Sequence, residues 1–143
     1  AEQAAAKKAV ASVSSPPFEV IAQLAYCEIE LVNLPEASEL LARLDREYRN
    51  IRQDIRIALR CRFEIAQGHY SNALALSEQI KEKNTIFYKT IRYDALRGEL
   101  LKSVLKDNVR DVYQNELSKL EGELVGFSAE QFLERCSYSL AYY

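Results

Sequence analysis

The sequence contains neither Trp nor Met, and only four Gly and three Pro among its 143 residues. With so few turn-forming residues, the chain has little material for the tight turns that an all-β protein needs. Apolar residues make up 48% of the sequence, which is enough for a continuous core. The composition therefore favours an all-α fold of helices joined by short connections.

Signals for a membrane or for secretion are also missing. No run reaches the roughly 18 to 20 apolar residues of a membrane span, and the Ala-rich start lacks the apolar core of a signal peptide. Cys27, Cys61 and Cys136 are scattered without a C-x-x-C pair, which is typical of reduced thiols in the cytoplasm. With His69 as the single histidine, we expect neither a zinc site nor another cofactor. Since the sequence has no initiator Met, we expect a piece of a longer protein.

Charge and motifs narrow the function further. The formal net charge is −2, so no overall field attracts nucleic acid, and we expect another protein or a peptide as the partner. The sequence lacks a phosphate-cradling glycine loop and an H-E-x-x-H motif. Cys61 lies in an apolar helical context that indicates an inert thiol. We therefore expect no enzyme within these residues.

Apolar residues recur at helical spacing from Phe18 onward. Residues 1–17 are expected to be a tail or linker, because they are weakly apolar and end in two prolines. Residues 18–143 are expected to form one helical domain. Seven helices are predicted, at about 18–32, 35–44, 49–67, 71–81, 86–105 and 109–120, with the last one following a break at 122–126.

Three stretches repeat one pattern, in which a polar loop leads into a short helix: VNLPEASELLARL, QGHYSNALALSEQI and KDNVRDVYQNELSKL. Ala37 and Ala73 occupy equivalent places 36 positions apart, and Val112 follows 39 positions later. The second unit resembles a tetratricopeptide repeat. Its Gly68-His69-Tyr70 stands at that family's turn between helices A and B, and Cys61 and Ala73 match the small residues of the two helices.

The resemblance extends less completely to the other units. In the first unit, Ala25 and Ala37 are the small pair and Asn33 replaces the turn glycine, while Val112 takes the small position of helix B in the third. The resemblance implies an α-solenoid of about three antiparallel helix pairs plus a C-terminal capping helix. A different α-solenoid or a compact helical bundle fits the same periodicity.

Two sets of residues are candidates for binding a partner. By analogy with the family, whose A helices line a concave groove, the groove candidates are Tyr26, Arg62, Ile65 and Tyr93. The second set is Arg49, Arg52, Arg56 and Arg60, whose spacing predicts one face of the third helix. Guanidinium groups suit carboxylates, so this face is a candidate dock for an acidic partner. Alternatively, these arginines form a solvated face that pairs with Glu residues of neighbouring helices.

The favoured function is a non-catalytic protein–protein interaction module. One alternative is a structural element that forms a homo-oligomer, in which the acidic stretch from Glu116 to Glu134 meets the arginines of a second subunit. That stretch could equally be an acidic cap that keeps the array soluble. Another alternative is a chaperone-like adaptor of a secretion or pilus system.

Overall fold

The computed structural model describes residues 17–125, and within this range the chain forms six α-helices and no strand. The helices are α1 (Phe18–Glu30), α2 (Leu34–Glu47), α3 (Gln53–Ala66), α4 (Tyr70–Ser77), α5 (Ile86–Lys102) and α6 (Asp107–Leu124). The prediction of an all-α fold is confirmed for these residues. The predicted tail up to residue 16 and the predicted last helix after residue 126 lie outside the described range.

Several helix boundaries differ by three or four residues from the predicted ones, including the ends of α4 at Ser77 and of α5 at Lys102. Helix α3 begins at Gln53 and not at Arg49, because Arg52 adopts a left-handed backbone conformation with a φ of 47°. Helix α6 continues through Gly122 to Leu124, so the break predicted from residue 122 is wrong. A glycine in a helix costs only about 1 kcal/mol relative to alanine, and this cost does not end a helix whose flanking residues favour it.

Helix α3 lies at the centre of the fold and contacts α1, α2, α4 and α5. Helix α1 also packs on α2, α4 packs on α5, and α5 packs on α6. The first helices of the three pairs (α1, α3 and α5) are therefore neighbours in space, and each packs against its own second helix (α2, α4 or α6). Ile55 and Leu59 of α3 are fully buried at this centre, which contributes about 1.5–3 kcal/mol for each side chain.

The turn between α3 and α4 follows a Schellman motif. The backbone N–H of Gly68 donates to the carbonyl oxygen of Ile65, and that of His69 donates to the carbonyl oxygen of Glu64, both at 2.9 Å. Gly68 has a φ of 80°, a conformation that glycine adopts without steric cost. This turn reverses the chain so that α4 packs back against α3.

The turn between α1 and α2 has the same hydrogen bonds. The backbone N–H of Val32 donates to the carbonyl oxygen of Ile29, and that of Asn33 donates to the carbonyl oxygen of Glu28, both at 2.9 Å. Val32 has a φ of 59°, so Val32 is the counterpart of Gly68. The prediction that Asn33 replaces the turn glycine is therefore wrong by one residue, because Asn33 is instead the N-cap residue of α2.

Small residues lie where α3 crosses α4. Cys61 and Ala73 are both fully buried, and the Cys61 thiol donates to the Ala73 carbonyl oxygen at 3.6 Å. The predicted meeting of these two residues is confirmed. Ala25 and Ala37, the corresponding residues of the first pair, are also fully buried. Small side chains at such positions let two helix axes approach closely.

Helix α6 is packed less deeply than the other helices. Leu120 is its one buried residue, and Tyr113 and Leu117 are partly buried beside it. Val112 was predicted to be the small residue of a helix crossing, and this prediction is wrong, because Val112 is 63% exposed. Successive residues of a helix are rotated by about 100°, so an inward stripe through Tyr113 and Leu117 turns Val112 toward solvent.

Gly98, which the sequence patterns did not single out, lies where the second helix pair contacts the third. A Cβ atom placed on Gly98 of α5 would lie 2.4 Å from the ring of Tyr70, the first residue of α4. The tyrosine ring therefore packs against bare helix backbone. The ammonium group of Lys102 lies 5.4 Å from the centroid of the same ring, within the range of a cation–π contact.

Candidate functional site

The first helices meet around the guanidinium group of Arg62 on α3. This group donates to the carboxylate of Asp94 and, at 2.9 Å, to the hydroxyl oxygen of Thr90, both on α5. Burial alone would lower the pKa of Arg62, but Asp94 together with the nearby Tyr26 and Glu30 of α1 raises it. Arg62 therefore stays charged and ties α3 to α5.

The three other predicted groove residues lie on the same three helices. Tyr26 on α1, Ile65 on α3 and Tyr93 on α5 are partly buried and pack against the core. Tyr26 lies close enough to Arg62 to influence its pKa, and Tyr93 is adjacent to Asp94 in the chain. We call the surface formed by Tyr26, Arg62, Tyr93 and Asp94 the first-helix face.

The predicted arginine face is divided between a helix and a loop. Arg56 and Arg60 lie one turn apart on α3, but Arg49 and Arg52 precede the helix, so the prediction of one shared helix face is wrong for these two. The left-handed conformation of Arg52 breaks the helical spacing on which that prediction depended. The four side chains consequently have different surroundings.

Arg56 and Arg60 share one carboxylate. Nη1 of Arg56 donates to Oδ1 of Asp45 at 3.1 Å, and Nη2 of Arg60 donates to Oδ2 at 2.8 Å. Arg56 also donates to the carbonyl oxygens of Ile51 and Arg49. Its side chain, which is 13% exposed, thus holds the α2–α3 loop against both helices.

Arg52 makes a separate set of contacts. Its guanidinium group pairs with Glu19 of α1 at 2.9 Å and lies 5.8 Å from the centroid of the Phe18 ring. The edge of that ring packs against Tyr48, with 5.5 Å between the ring centroids. Arg52 therefore fastens the α2–α3 loop to the start of α1, and its charge is balanced locally.

Arg46 and Arg49 have exposed side chains that form no ion pair within the described residues. Arg49 is adjacent to Arg56 through the contact at its carbonyl oxygen, and Arg46 follows Asp45 directly on α2. We call the group formed by Arg56 and Arg60, which bind Asp45, and by Arg46 and Arg49, which lie near them in the chain, the arginine corner. It holds four guanidinium groups and one carboxylate, so its positive charge is not balanced internally.

Arg92, which the sequence patterns did not single out, is 7% exposed and joins three helices. Its Nε and Nη2 atoms donate to the two carboxylate oxygens of Glu116 on α6 at 2.7 and 2.6 Å. Its Nη1 atom donates to Ser77 and Glu78 at the end of α4, both at 3.0 Å. One signal could have revealed this residue, because Arg92 falls among the buried apolar positions of α5.

These contacts change the interpretation of the acidic stretch. Glu116 binds Arg92, and Glu123 pairs with Lys89 at 3.5 Å. The exposed charges that remain on and beside α6 are Asp107, Asp111 and Glu121 against Lys106, Arg110 and Lys119. The described part of α6 therefore presents no surplus of negative charge. Glu130 and Glu134 lie outside the described residues.

Between residues 17 and 125, the two thiols and the histidine show no arrangement suited to catalysis. Burial raises the pKa of the Cys61 thiol to about 12, and burial also raises the pKa of Cys27. His69 contacts the Glu64 carboxylate at 2.9 Å in the α3–α4 turn. Among residues 17–125, no group of three His, Cys, Asp or Glu side chains is placed to hold a metal ion. In the same range, no helix has both the length and the apolar composition required to cross a membrane.

No protein-family model matches the sequence, and comparisons with curated proteins and with solved structures give no match. The first-helix face and the arginine corner are therefore the two candidate functional surfaces of the described residues. The first-helix face combines aromatic side chains with a fixed, locally paired arginine. The arginine corner is strongly basic and lies on another side of α3.

Proposed function

We propose that this chain is a non-catalytic interaction module, organised like a tetratricopeptide array, that holds a partner segment against its first-helix face. The observation that carries the proposal is the placement of the first helices side by side. Helix α3 contacts both α1 and α5, and it also contacts α2 and α4. An extended or helical segment of a partner could then touch all three first helices at once.

The side chains of the first-helix face suit this role. Tyr26 and Tyr93 are partly exposed and supported from beneath by the core, and tyrosine rings supply large contact areas at a small cost in conformational entropy. Arg62 is held by Asp94 and Thr90, so its position does not have to be fixed when a partner binds. Preorganised side chains of this kind favour affinity.

The proposal can be tested by selecting random displayed peptides on the full chain. The selected peptides are then measured against the Tyr26→Ala/Tyr93→Ala double variant. We expect their affinity to fall at least about tenfold, because buried tyrosines are frequent hot spots of protein interfaces. Helical content, measured by circular dichroism, should stay unchanged.

A matched control is the Val104→Ala/Val112→Ala double variant, which truncates two strongly exposed side chains far along the chain from Tyr26. Peptides selected on the wild-type chain should bind this variant with undiminished affinity. The proposal is wrong if selection enriches no binding peptide, or if both double variants lose affinity equally.

A further inference from the structure

We infer that the arginine corner is a second docking surface, separate from the first-helix face, and that it binds an acidic polypeptide segment. The two surfaces diverge on α3 itself. Arg60 contacts Asp45 of α2, whereas Arg62 contacts Asp94 of α5. Two residues along a helix correspond to a rotation of about 200°, so these side chains leave α3 on nearly opposite sides.

The contacts with Asp45 show that the corner can bind a carboxylate. Each oxygen of Asp45 accepts a hydrogen bond from a different guanidinium group, that of Arg56 or that of Arg60. Charge-assisted hydrogen bonds of this kind are the stronger ones in proteins. Arg56 is also fixed in place, because it is bound to two carbonyl oxygens of the α2–α3 loop. A second carboxylate would therefore meet an arrangement that is largely preorganised.

Binding capacity remains after the internal contacts are made. Arg60 uses only its Nη2 atom among the described residues, and its side chain is 36% exposed. Arg46 and Arg49 are exposed and form no ion pair within the described range. The corner therefore has four guanidinium groups and one internal carboxylate, which leaves room for additional negative charge. An acidic segment supplies carboxylates for the guanidinium groups that are not yet paired.

An acidic polypeptide fits the corner better than a nucleic acid does. Asp45 lies in the middle of the corner, and Glu47 and Asp54 flank it along the chain. Duplex DNA is a long and uniform polyanion, and its binding proteins commonly make 6–10 phosphate contacts along an extended basic surface. The whole chain instead carries a net charge of −2. A short acidic segment engages the corner without meeting the acidic surroundings.

The first experiment measures the fluorescence anisotropy of a labelled oligoglutamate peptide titrated with the full chain at low ionic strength. We expect saturable binding that weakens as salt is added. The Arg46→Ala/Arg49→Ala variant should bind about tenfold more weakly, because it loses the two arginines that no internal carboxylate occupies. The Arg97→Ala/Arg110→Ala variant is the control, since it removes the same charge from two exposed arginines of α5 and α6.

A second variant tests the corner by a gain of binding. Asp45→Asn removes the internal carboxylate, so Arg56 and Arg60 become available to the peptide. We expect its affinity for oligoglutamate to rise severalfold. The control Asp111→Asn removes the same charge from an exposed site on α6 and should change the affinity little. A gain of affinity cannot result from damage to the fold.

Three results would overturn the inference. An equal loss of oligoglutamate affinity in the Arg46→Ala/Arg49→Ala and Arg97→Ala/Arg110→Ala variants would show that binding depends on net charge alone. An absence of saturable oligoglutamate binding at low salt would show that the corner binds no acidic segment. Tighter binding of a single-stranded oligonucleotide of equal charge would assign the corner to nucleic acid. None of these outcomes depends on the first-helix face, because Tyr26 and Tyr93 are unaltered throughout.

Discussion

The first two helix pairs make the same turn with different residues. Pair one has Val32 at the left-handed position and pair two has Gly68, with φ values of 59° and 80°. The equivalent hydrogen bonds are all 2.9 Å long. A left-handed conformation costs an L-residue roughly 1–2 kcal/mol, and a β-branched side chain makes it more unfavourable. Pair one therefore carries local strain that pair two does not.

This difference shows that packing, and not the turn residue, determines the geometry of the helix pair. Ala25 and Ala37 are fully buried in pair one, as Cys61 and Ala73 are in pair two. The close helix crossing places the turn residue in a left-handed conformation whether or not that residue is glycine. The two pairs differ also at the first residue of their second helix, since Tyr70 of pair two packs on Gly98 of α5.

The largest expected effect comes from filling the space at Gly98. A Gly98→Ala substitution places a Cβ atom 2.4 Å from the Tyr70 ring, and the ring cannot move without disturbing α4. We expect the free energy of unfolding to fall by about 2 kcal/mol, because the cost of overpacking exceeds the gain in helix propensity. Chemical denaturation monitored by circular dichroism measures this change.

A compensating variant tests the stated cause. The residue of pair one that corresponds to Tyr70 is Leu34, 36 positions earlier. Adding Tyr70→Leu to Gly98→Ala replaces the ring by the side chain that pair one uses at this position. The double variant should be more stable than Gly98→Ala alone. If Tyr70→Leu only adds to the loss, the ring contact is not the source of the destabilisation.

An exchange of the two turn residues should have a smaller effect. Gly68→Val should lower the free energy of unfolding by about 1–2 kcal/mol, because it introduces the strain that pair one already carries. Val32→Gly should raise it by less than about 1 kcal/mol, because the relief of strain is partly offset by the greater entropy of the unfolded chain. Thermal unfolding of both variants measures the asymmetry. Equal destabilisation by both substitutions would contradict the proposed strain at Val32.

Periodicity predicted most of the fold, and the exceptions have identifiable causes. The turn at Gly68 and the meeting of Cys61 with Ala73 followed from local sequence. The start of α3 did not, because the left-handed conformation of Arg52 is stabilised by Glu19 and the Phe18 ring of another helix. Such tertiary contacts override local helix propensity and leave no signal in the local sequence.

The candidate site was harder to predict, because its charged side chains form ion pairs with residues of other helices. The spacing of Arg56 and Arg60 correctly placed them together. The alternative of pairing with acidic residues of neighbouring helices agrees with their contact to Asp45 of α2, although Glu and not Asp was expected. Arg62 was predicted as a groove residue, and its partner Asp94 on α5 could not be identified from helix spacing alone. Arg92 could have been noticed as a charge at a buried helix position, which requires a partner. Its actual partner, Glu116, depends on how α6 packs.

At neutral pH the smallest effect concerns the one chemical difference at the helix crossings, where pair two has Cys61 and pair one has Ala25. Burial raises the pKa of the Cys61 thiol from 9.0 to about 12, so the unfolded chain loses this proton at a lower pH than the folded chain does. The stabilisation is fully present below pH 9 and is lost as the pH rises toward 12. Within that window, the thiol should reduce the free energy of unfolding by up to about 1.4 kcal/mol per pH unit.

The Cys61→Ala variant gives pair two the residue of pair one and removes this titration. We expect its free energy of unfolding to be lower than that of the wild type near pH 8, because the thiol contact with the Ala73 carbonyl oxygen is lost. The difference should then shrink between pH 9 and pH 11, as only the wild-type thiol titrates. Cys27→Ala is the control, since the Cys27 thiol is less deeply buried. A constant difference between wild type and Cys61→Ala across this range would show that the thiol ionises equally in both states.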